Sequence, residues 1–492
     1  MIKRFLLGVL VLLALLGLLV LVVAVNTLRQ GSRQIDVPAL APIAVDEQAA
    51  AESLAAAVRA KTVSSHEDPA LNTDQFELLQ AHLRSRYPLL HATLKREVVG
   101  GLSLLYTWPG SDPAAKPILL MAHQDVVPIA PGTEKDWQAD PFAGTIKDGF
   151  VWGRGAWDDK VNLISQMEAI EMLIASGFQP KRTVYLAYGA DEEVGGLRGA
   201  KAIAALLAER KVKLDFVLDE GLLITEGVLP GLEPPAAIVG IAEKGYLSVG
   251  LHAEATPGHS SMPPPAGTSA IAMMSVALTR LDEHQFPAKL EGVAREMFES
   301  VAPEMNAFNR VALSNLWLFG PIVKKQLEAG ASTNAMLRTT TALTIVNAGN
   351  KENVLPGRAD ATVNFRLLPG TTRDDVMAHV KQTVADGRVS AERMPGSAEP
   401  SKVASTDSPS YRLIERTVRE LFPGTIVAPG LMVGGTDSQH FGAVSDHIYK
   451  FSPVRAKPQD LPRFHGTNER ITIANLTELI RFYHRLVQQA AQ

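Results

Sequence analysis

The chain has 492 residues, 46% of them apolar, enough for two or three packed domains and too long for a small stapled scaffold. Its formal net charge is −4 and its basic residues are scattered, not gathered in blocks, which argues against a nucleic-acid partner. The absence of cysteine excludes disulfides, thiolate metal sites and a cysteine nucleophile together, so any bound metal must be held by His, Asp or Glu.

The first element in chain order is "FLLGVLVLLALLGLLVLVVAV", residues 5 to 25, which contains no charge. It is long enough to cross a hydrocarbon core of about 30 Å as a helix. Residues 1–25 therefore predict a single-pass membrane anchor carrying an exported body, whether periplasmic, extracellular or lumenal. Lys3 and Arg4 before the run nearly balance Arg29 and Arg33 after it, and favour a short cytoplasmic tail. The competing reading is a signal peptide cleaved after the small-residue site around Val22 and Ala24, which gives a secreted protein. Residues 26–44, rich in Ala, Pro and Gln, read as a linker.

The folded body begins near Val45. Over 45–243, apolar strand-like runs alternate with helical patterns, predicting an α/β domain with a mostly parallel central sheet. The texture changes at 244–399. There "GYLSVGLHAEA" and "ADATVNFRLLPG" alternate as half-exposed strands, and "TRDDVMAHVKQTVADG" is helical. This predicts a smaller α+β domain inserted into the first, which residues 400–492 complete after a Pro, Ser and Gly rich stretch.

Three apolar runs end in groups able to bind metal. "PILLMAHQD" stops at His123 and Asp125, "TVYLAYGADEE" at Asp191, Glu192 and Glu193, and "LDFVLDEG" at Asp219 and Glu220. In open α/β sheets ligands collect outside the carboxyl ends of the strands, so parallel strands ending this way deliver their acids to one crevice. "GRGAWDDK" adds Asp158 and Asp159 just before an amphipathic helix that opens at Lys160, with Val161, Ile164, Met167, Ile170 and Leu173 on its apolar face. Singly, each has an ordinary reading: a structural histidine, a solvated acidic turn, a helix cap. Gathered in one crevice, the carboxylates repel one another unless cations neutralise them. Nitrogen and oxygen donors without thiolate favour zinc, with cobalt or manganese as substitutes, and a pair of ions is a recurrent hydrolytic arrangement.

"MAHQDVVP", "GRGAWDDK", "GADEEVGG", "GHSSMPP" and "HGTNE", in this order, resemble the motifs of the co-catalytic zinc metallopeptidases related to glutamate carboxypeptidase and aminoacylase. The branch most similar is that of carboxypeptidase S and the N-fatty-acyl-amino-acid synthase/hydrolases. The resemblance implies two zinc ions per chain: His123 and Asp219 on one, Glu193 and His465 on the other, Asp158 bridging both through a peptide to Asp159 that is commonly cis. It implies Asp125 as the carboxylate orienting the His123 ring, and Glu192 as the general base that takes a proton from the attacking water and passes it to the leaving amine. His259 is implied as an oxyanion donor reaching the cleft from the inserted, ferredoxin-like domain, which acts as a lid or dimerisation module and sometimes supplies this group to the partner subunit.

The substrate should carry a free carboxylate beside the scissile amide. The resemblance implies Arg366, in "VNFRLLPG", as the group that grips it in a bidentate fork, against the ordinary reading of a strand-surface arginine. Gly434 and Gly435 in "VGGTDS" suit a close backbone approach to substrate. Asn334 and Asn353 are further substrate-binding candidates, with turn roles as the alternative. Trp157, where the resembling proteins usually carry a smaller or aliphatic residue, is a departure that narrows or flattens the cleft. Two activities fit: a carboxypeptidase or dipeptidase acting on short peptides, and an N-acyl amino acid hydrolase. A catalytically silent, membrane-tethered binding protein is the contrasting class, disfavoured because the base and every ligand are present.

Overall fold

The computed structural model describes residues 2–492. Its first element is the helix Ile2–Arg29, exposed over most of its apolar run with Leu19 and Val23 partly covered, and long and apolar enough to cross a membrane. The segment that follows is not a free tether. Gln34 pairs with both backbone groups of Val427, the Leu40 amide donates to Glu420, and Arg481 donates to the Ile43 carbonyl. These contacts strap residues 34–43 to the body before the helix Glu47–Arg59 starts at its Asp46 cap.

The main sheet has eight strands in the spatial order Lys95–Val99, Ser103–Trp108, Val184–Gly189, Ile118–His123, Phe216–Thr225, Ile448–Ala456, Ala236–Glu243, Ile426–Met432. The four strands from Val184–Gly189 to Ile448–Ala456 pair in parallel, but both strands at one edge are antiparallel, and so is the junction of Ile448–Ala456 with Ala236–Glu243. The sheet is therefore mixed, not mostly parallel. The antiparallel edge arises where the connection from Val99 to Ser103 is too short for a crossover helix.

Helices cover both faces of this sheet, so its inner strands Ile118–His123 and Val184–Gly189 are apolar at nearly every position and not merely at alternate ones. Along Ile118–His123, Ile118, Leu120 and Ala122 face the core under the helices Glu47–Arg59, Lys160–Ala175 and Ile473–Ala490. Leu119 and Met121 face the opposite core with the helix Ala200–Glu209. The helix Lys160–Ala175 is buried on all sides over residues 160–170, not amphipathic as its spacing suggests. Its Lys160 ammonium is satisfied by the Ala57 and Ala60 carbonyls, and burial pulls its pKa down to about 7.

The second sheet is four-stranded and antiparallel, in the order Thr340–Ala348, Arg358–Leu367, Gly245–Glu254, Val389–Arg393. The helices Ala270–Glu283 and Arg373–Val384 pack on one face of it around Leu251, Val363 and Phe365. In chain order this is the strand–helix–strand–strand–helix–strand pattern of a ferredoxin-like unit. The chain between its first helix and second strand leaves that unit. The helix Gly292–Val301 instead buries Ala294, Met297 and Phe298 against Ile238, Ile426 and Ala428 at the far edge of the main sheet.

Candidate metal centre

The strand Ile118–His123 delivers His123 at its carboxyl end, the parallel strand Phe216–Thr225 delivers Glu220 from its middle, just past the end of its ladder with Ile118–His123, and the turn after Val184–Gly189 brings Glu192 and Glu193 beside them. Asp158 enters from the loop before the helix Lys160–Ala175, joined to Asp159 by a cis peptide. His465 enters from the loop before the last helix, with a left-handed backbone (φ 56°).

Asp158 is the shared member of two clusters. His123 Nε2 lies 3.0 Å from its Oδ1 and 3.5 Å from Glu220 Oε1. His465 Nε2 lies 2.7 Å from its Oδ2 and 3.3 Å from Glu193 Oε2. Within each cluster, His123–Asp158–Glu220 and Asp158–Glu193–His465, one donor atom per residue falls within 4.8 Å of the others.

The acid that joins His123 is therefore Glu220, where the motif resemblance assigned Asp219. Adjacent residues in a strand point to opposite faces. Glu220 shares the face of Leu218, over which Asp158 approaches, while buried Asp219 turns away and accepts the Ser438 amide at 2.8 Å and the Glu220 amide at 3.0 Å. The parity was present in the sequence, but which face carries the crevice was not.

Asp125 also differs in detail from its expected role. His123 Nδ1 meets the Asp125 carbonyl at 3.0 Å, with the carboxylate at 3.4 Å. The carboxylate itself accepts the amides of Glu192 and Glu193, both at 3.1 Å, and the Ser64 hydroxyl at 2.7 Å. It thus orients the acidic turn as well as the ring. Asp159, for which a helix cap was the ordinary reading, makes no cap bond; it accepts the His123 amide at 3.2 Å and pairs with Asn162.

A residue that the motif reading passed over organises the "GRGAWDD" loop. Glu469, fully buried, takes the amides of Gly155, Trp157 and Asp158 on one oxygen and the Arg154 guanidinium on the other, at 2.5 Å. Trp157 is buried and meets Phe464 edge-on at 6.0 Å between ring centres, and Phe464 stacks on His465 at 4.6 Å. Its place is therefore behind a candidate ligand.

The electrostatics fit a cation. Burial raises Glu220 to about 8, with Asp158 adding to the shift, and raises Glu193 in the same sense. Burial also pushes Glu192 far above the usual carboxylate range, against the opposing pull of His123 and with help from Glu220 and Asp437. Burial works against charge on Asp158 too, but hydrogen bonds from His123 and His465 win and hold it low. Hydrogen bonds to Asp158 and Glu193 raise His465 to about 10. Glu193 Oε1 is buried with no hydrogen-bond partner. An orphaned carboxylate oxygen among acids that burial makes reluctant to ionise, with imidazole and carboxylate the only donors, is what a divalent cation would resolve.

A cleft of about 1010 Å³ runs from Glu193 to the second sheet and is lined by Lys201, Lys244, Arg366, Gly435 and His440 among others. Arg366 stacks over Tyr246 at 4.7 Å, and among the described residues no ion pair engages it. Gly435 lines the cleft; Gly434, against Met432, does not. His259 and Asn353 come together elsewhere, at the two-residue ladder Gly258–His259 with Val354–Leu355, where the Asn353 carbonyl accepts the Ser260 amide. His259 is exposed and bonds Ser261. Asn334 lies on the helix Ala331–Leu337 and also does not line the cleft. The structure thus gathers Arg366 and Gly435 with the acids, and not His259, Asn334, Asn353 or Gly434.

The model of Peptidase family M20/M25/M40 matches residues 119–489. The chain is 39% identical to probable carboxypeptidase S-like 2 of Dictyostelium discoideum, covering 96% of this chain and 92% of that protein. It is 40% identical to the N-fatty-acyl-amino acid synthase/hydrolase PM20D1 of Mus musculus, covering 89% and 87%. Its fold matches a metallo-carboxypeptidase from Sulfolobus solfataricus (TM-score 0.64, 18% identity, 91% of this chain and 100% of that one) and human carnosine dipeptidase 1 (0.62, 16%, 92% and 100%). The chain belongs to peptidase family M20/M25/M40, on the branch of carboxypeptidase S and the N-fatty-acyl-amino-acid synthase/hydrolases, and is a hydrolase.

Proposed function

We propose that this hydrolase cleaves the amide bond next to a free carboxylate, with two divalent cations, zinc by donor type, held by His123, Asp158 and Glu220 and by Asp158, Glu193 and His465. The observation that carries the reading is one cleft holding Glu193 at the clusters and an unpaired Arg366 across from it. When bound, the cations supply Lewis acidity and lower the pKa of water. Glu192, held by Asp125 through its amide, takes the proton of the attacking water and returns it to the leaving amine. Asp158 holds the two histidines in register, and Arg366 orients the substrate carboxylate with its planar fork.

The leading substrate class is short peptides, processed as by a carboxypeptidase or dipeptidase. The second is N-acyl amino acids, favoured by the 40% identity to a protein named N-fatty-acyl-amino acid synthase/hydrolase. Either tail fits a cleft of about 1010 Å³. The helix Ile2–Arg29 anchors the chain, leaving the catalytic body outside the cytoplasm. The exposed edge strand Thr340–Ala348, with Leu343, Ile345 and Val346 facing solvent, supports pairing of two copies through the second sheet, and His259 and Asn353 belong to a lid that meets the cleft by closure or from the partner copy.

Amino acid release from dipeptides, blocked dipeptides and fatty-acyl amino acids sharing one C-terminal residue tests the reading with zinc-loaded protein. Glu192→Ala should abolish turnover, about 100-fold or more, while metal content is unchanged. Turnover by a chain stripped of metal, or full activity of Glu192→Ala, contradicts it.

A further inference from the structure

The helix Ala307–Ser314 lies beside the N-terminal helix, the helix Leu316–Glu328 packs on Ala307–Ser314 in turn, and neither has a part in the cleft. Asn315, which joins them, is fully buried, and its side-chain amide donates to Thr27 Oγ1 at 3.0 Å and to the Val23 carbonyl at 3.3 Å. Gln30 and Arg310 add further links between the two pieces. Val23 lies inside the uncharged run of residues 5–25, about 3 Å along the helix from its end. The Asn315 joint is therefore docked at the level of the last apolar turn, not on the polar sequence that follows.

Around this joint the two short helices expose large apolar side chains. Phe308 is 60% exposed, Trp317 58% and Ile322 61%. Trp317 and Pro321 lie one turn apart on one face of the second helix, Lys325 continues that face one turn on, and Ile322 is exposed about 140° round the helix from Trp317, beyond Lys325. Such a face is unusual on a soluble surface, whereas tryptophan with nearby lysine is the composition that lies at a membrane–water interface.

We infer that the exposed side of these two helices, which carries Phe308, Trp317 and Ile322, seats on the lipid bilayer surface at the depth where the helix Ile2–Arg29 leaves it. This rests on the membrane reading of that helix and goes beyond it: the body is held against the bilayer by a second, interfacial contact, and does not swing on a tether. Continuity argues for lipid as the occupant. If residues 5–25 fill the hydrocarbon core, the hydrogen bonds to Val23 and Thr27 bring the Asn315 joint, with Trp317 two residues on, to the boundary of that core.

The test reconstitutes the full chain into phosphatidylcholine vesicles with acyl chains brominated near the headgroup, and compares tryptophan emission with that in unbrominated vesicles. The other tryptophans, Trp108, Trp137, Trp152 and Trp157, all belong to the catalytic body. The wild type is expected to show a quenched component that Trp317→Phe lacks. Phe308→Ser combined with Ile322→Ser should lose most of that component while the chain still floats with the vesicles through its N-terminal helix. Equal quenching in wild type and Trp317→Phe, with the chain floating, overturns the inference and leaves the anchor intact; cross-linking of two copies through this face under the same conditions overturns it in favour of self-association. A full chain that does not float removes the anchor and the inference together.

Discussion

The Glu469 carboxylate accepts the Asp158 amide at 3.0 Å across 311 residues of sequence. Burial raises its pKa to about 7, and the adjoining Arg154 guanidinium opposes the shift. Glu469→Ala leaves that buried guanidinium without its counter-charge and frees three amides of the loop carrying Asp158. The expected loss is about 3 to 5 kcal/mol in denaturant unfolding, together with reduced metal content. An unfolding midpoint equal to wild type refutes this role.

Glu220 and Asp219 are distinguished by metal stoichiometry. Glu220→Gln should lower the metal bound per chain and cut activity with little change in fold, because among the described residues its carboxylate pairs only with His123. Asp219→Asn weakens an accepting carboxylate that holds the Ser438 amide. It should cost about 1 to 3 kcal/mol of stability and leave the metal bound. Elemental analysis of both purified variants decides between them, and the reverse pattern restores Asp219 as the ligand.

Stability of the metal-free protein should fall as pH rises. Glu220 at about 8 and His465 at about 10 both lie above their ordinary values of 4.5 and 6.5. A group raised on folding contributes fully below its unfolded pKa, and that contribution is lost as pH passes upward through the folded value. Asp158, held low, has the opposite sign but loses its contribution only in strong acid. Bound cation favours the deprotonated acids and neutral imidazoles, so the gap in Tm between loaded and chelator-treated protein should widen from about pH 6 to pH 9. A gap that narrows over this range contradicts the assignment.

Trp157 supports His465 through the Phe464 ring. Trp157→Leu should open a cavity costing about 2 to 4 kcal/mol and loosen the histidine, weakening the metal cluster it belongs to more than the other. Phe464→Tyr, which keeps the stack, should retain both. Two metal affinities that fall equally in Trp157→Leu would show a general packing effect.

Arg366→Lys keeps the charge but loses the planar fork and much of the stack on Tyr246. The expected effect is a rise in KM of about 10- to 100-fold for carboxylate-bearing substrates, with kcat changed less. An unaltered KM would return Arg366 to a surface role.

What the sequence by itself determined was chemistry and local periodicity. An uncharged run of 21 residues forms a membrane-length helix, the apolar run before His123 is a strand that ends there whereas the one reaching Asp219 and Glu220 continues to Thr225, and the absence of cysteine leaves only imidazole and carboxylate as donors. These depend on neighbours along the chain, so His123, Asp158 and Glu193 stood out as candidates, whereas His465 entered only through the motif resemblance; the fold brings the four together in two clusters that share Asp158. Tertiary structure decided what depends on faces and distant partners. Whether Asp219 or Glu220 enters the crevice turns on which face of the Phe216–Thr225 strand meets the Asp158 loop. The all-round burial of the helix Lys160–Ala175 turns on the final helix packing over it, and the Glu469 anchor turns on a contact spanning 311 residues. The Asn315 joint with Val23 and Thr27 is of the same kind, since a polar residue between two short helices carries no local sign that its partner is the end of an apolar run almost 300 residues earlier. Periodicity says which side chains share a face, and only the packed chain says what that face meets.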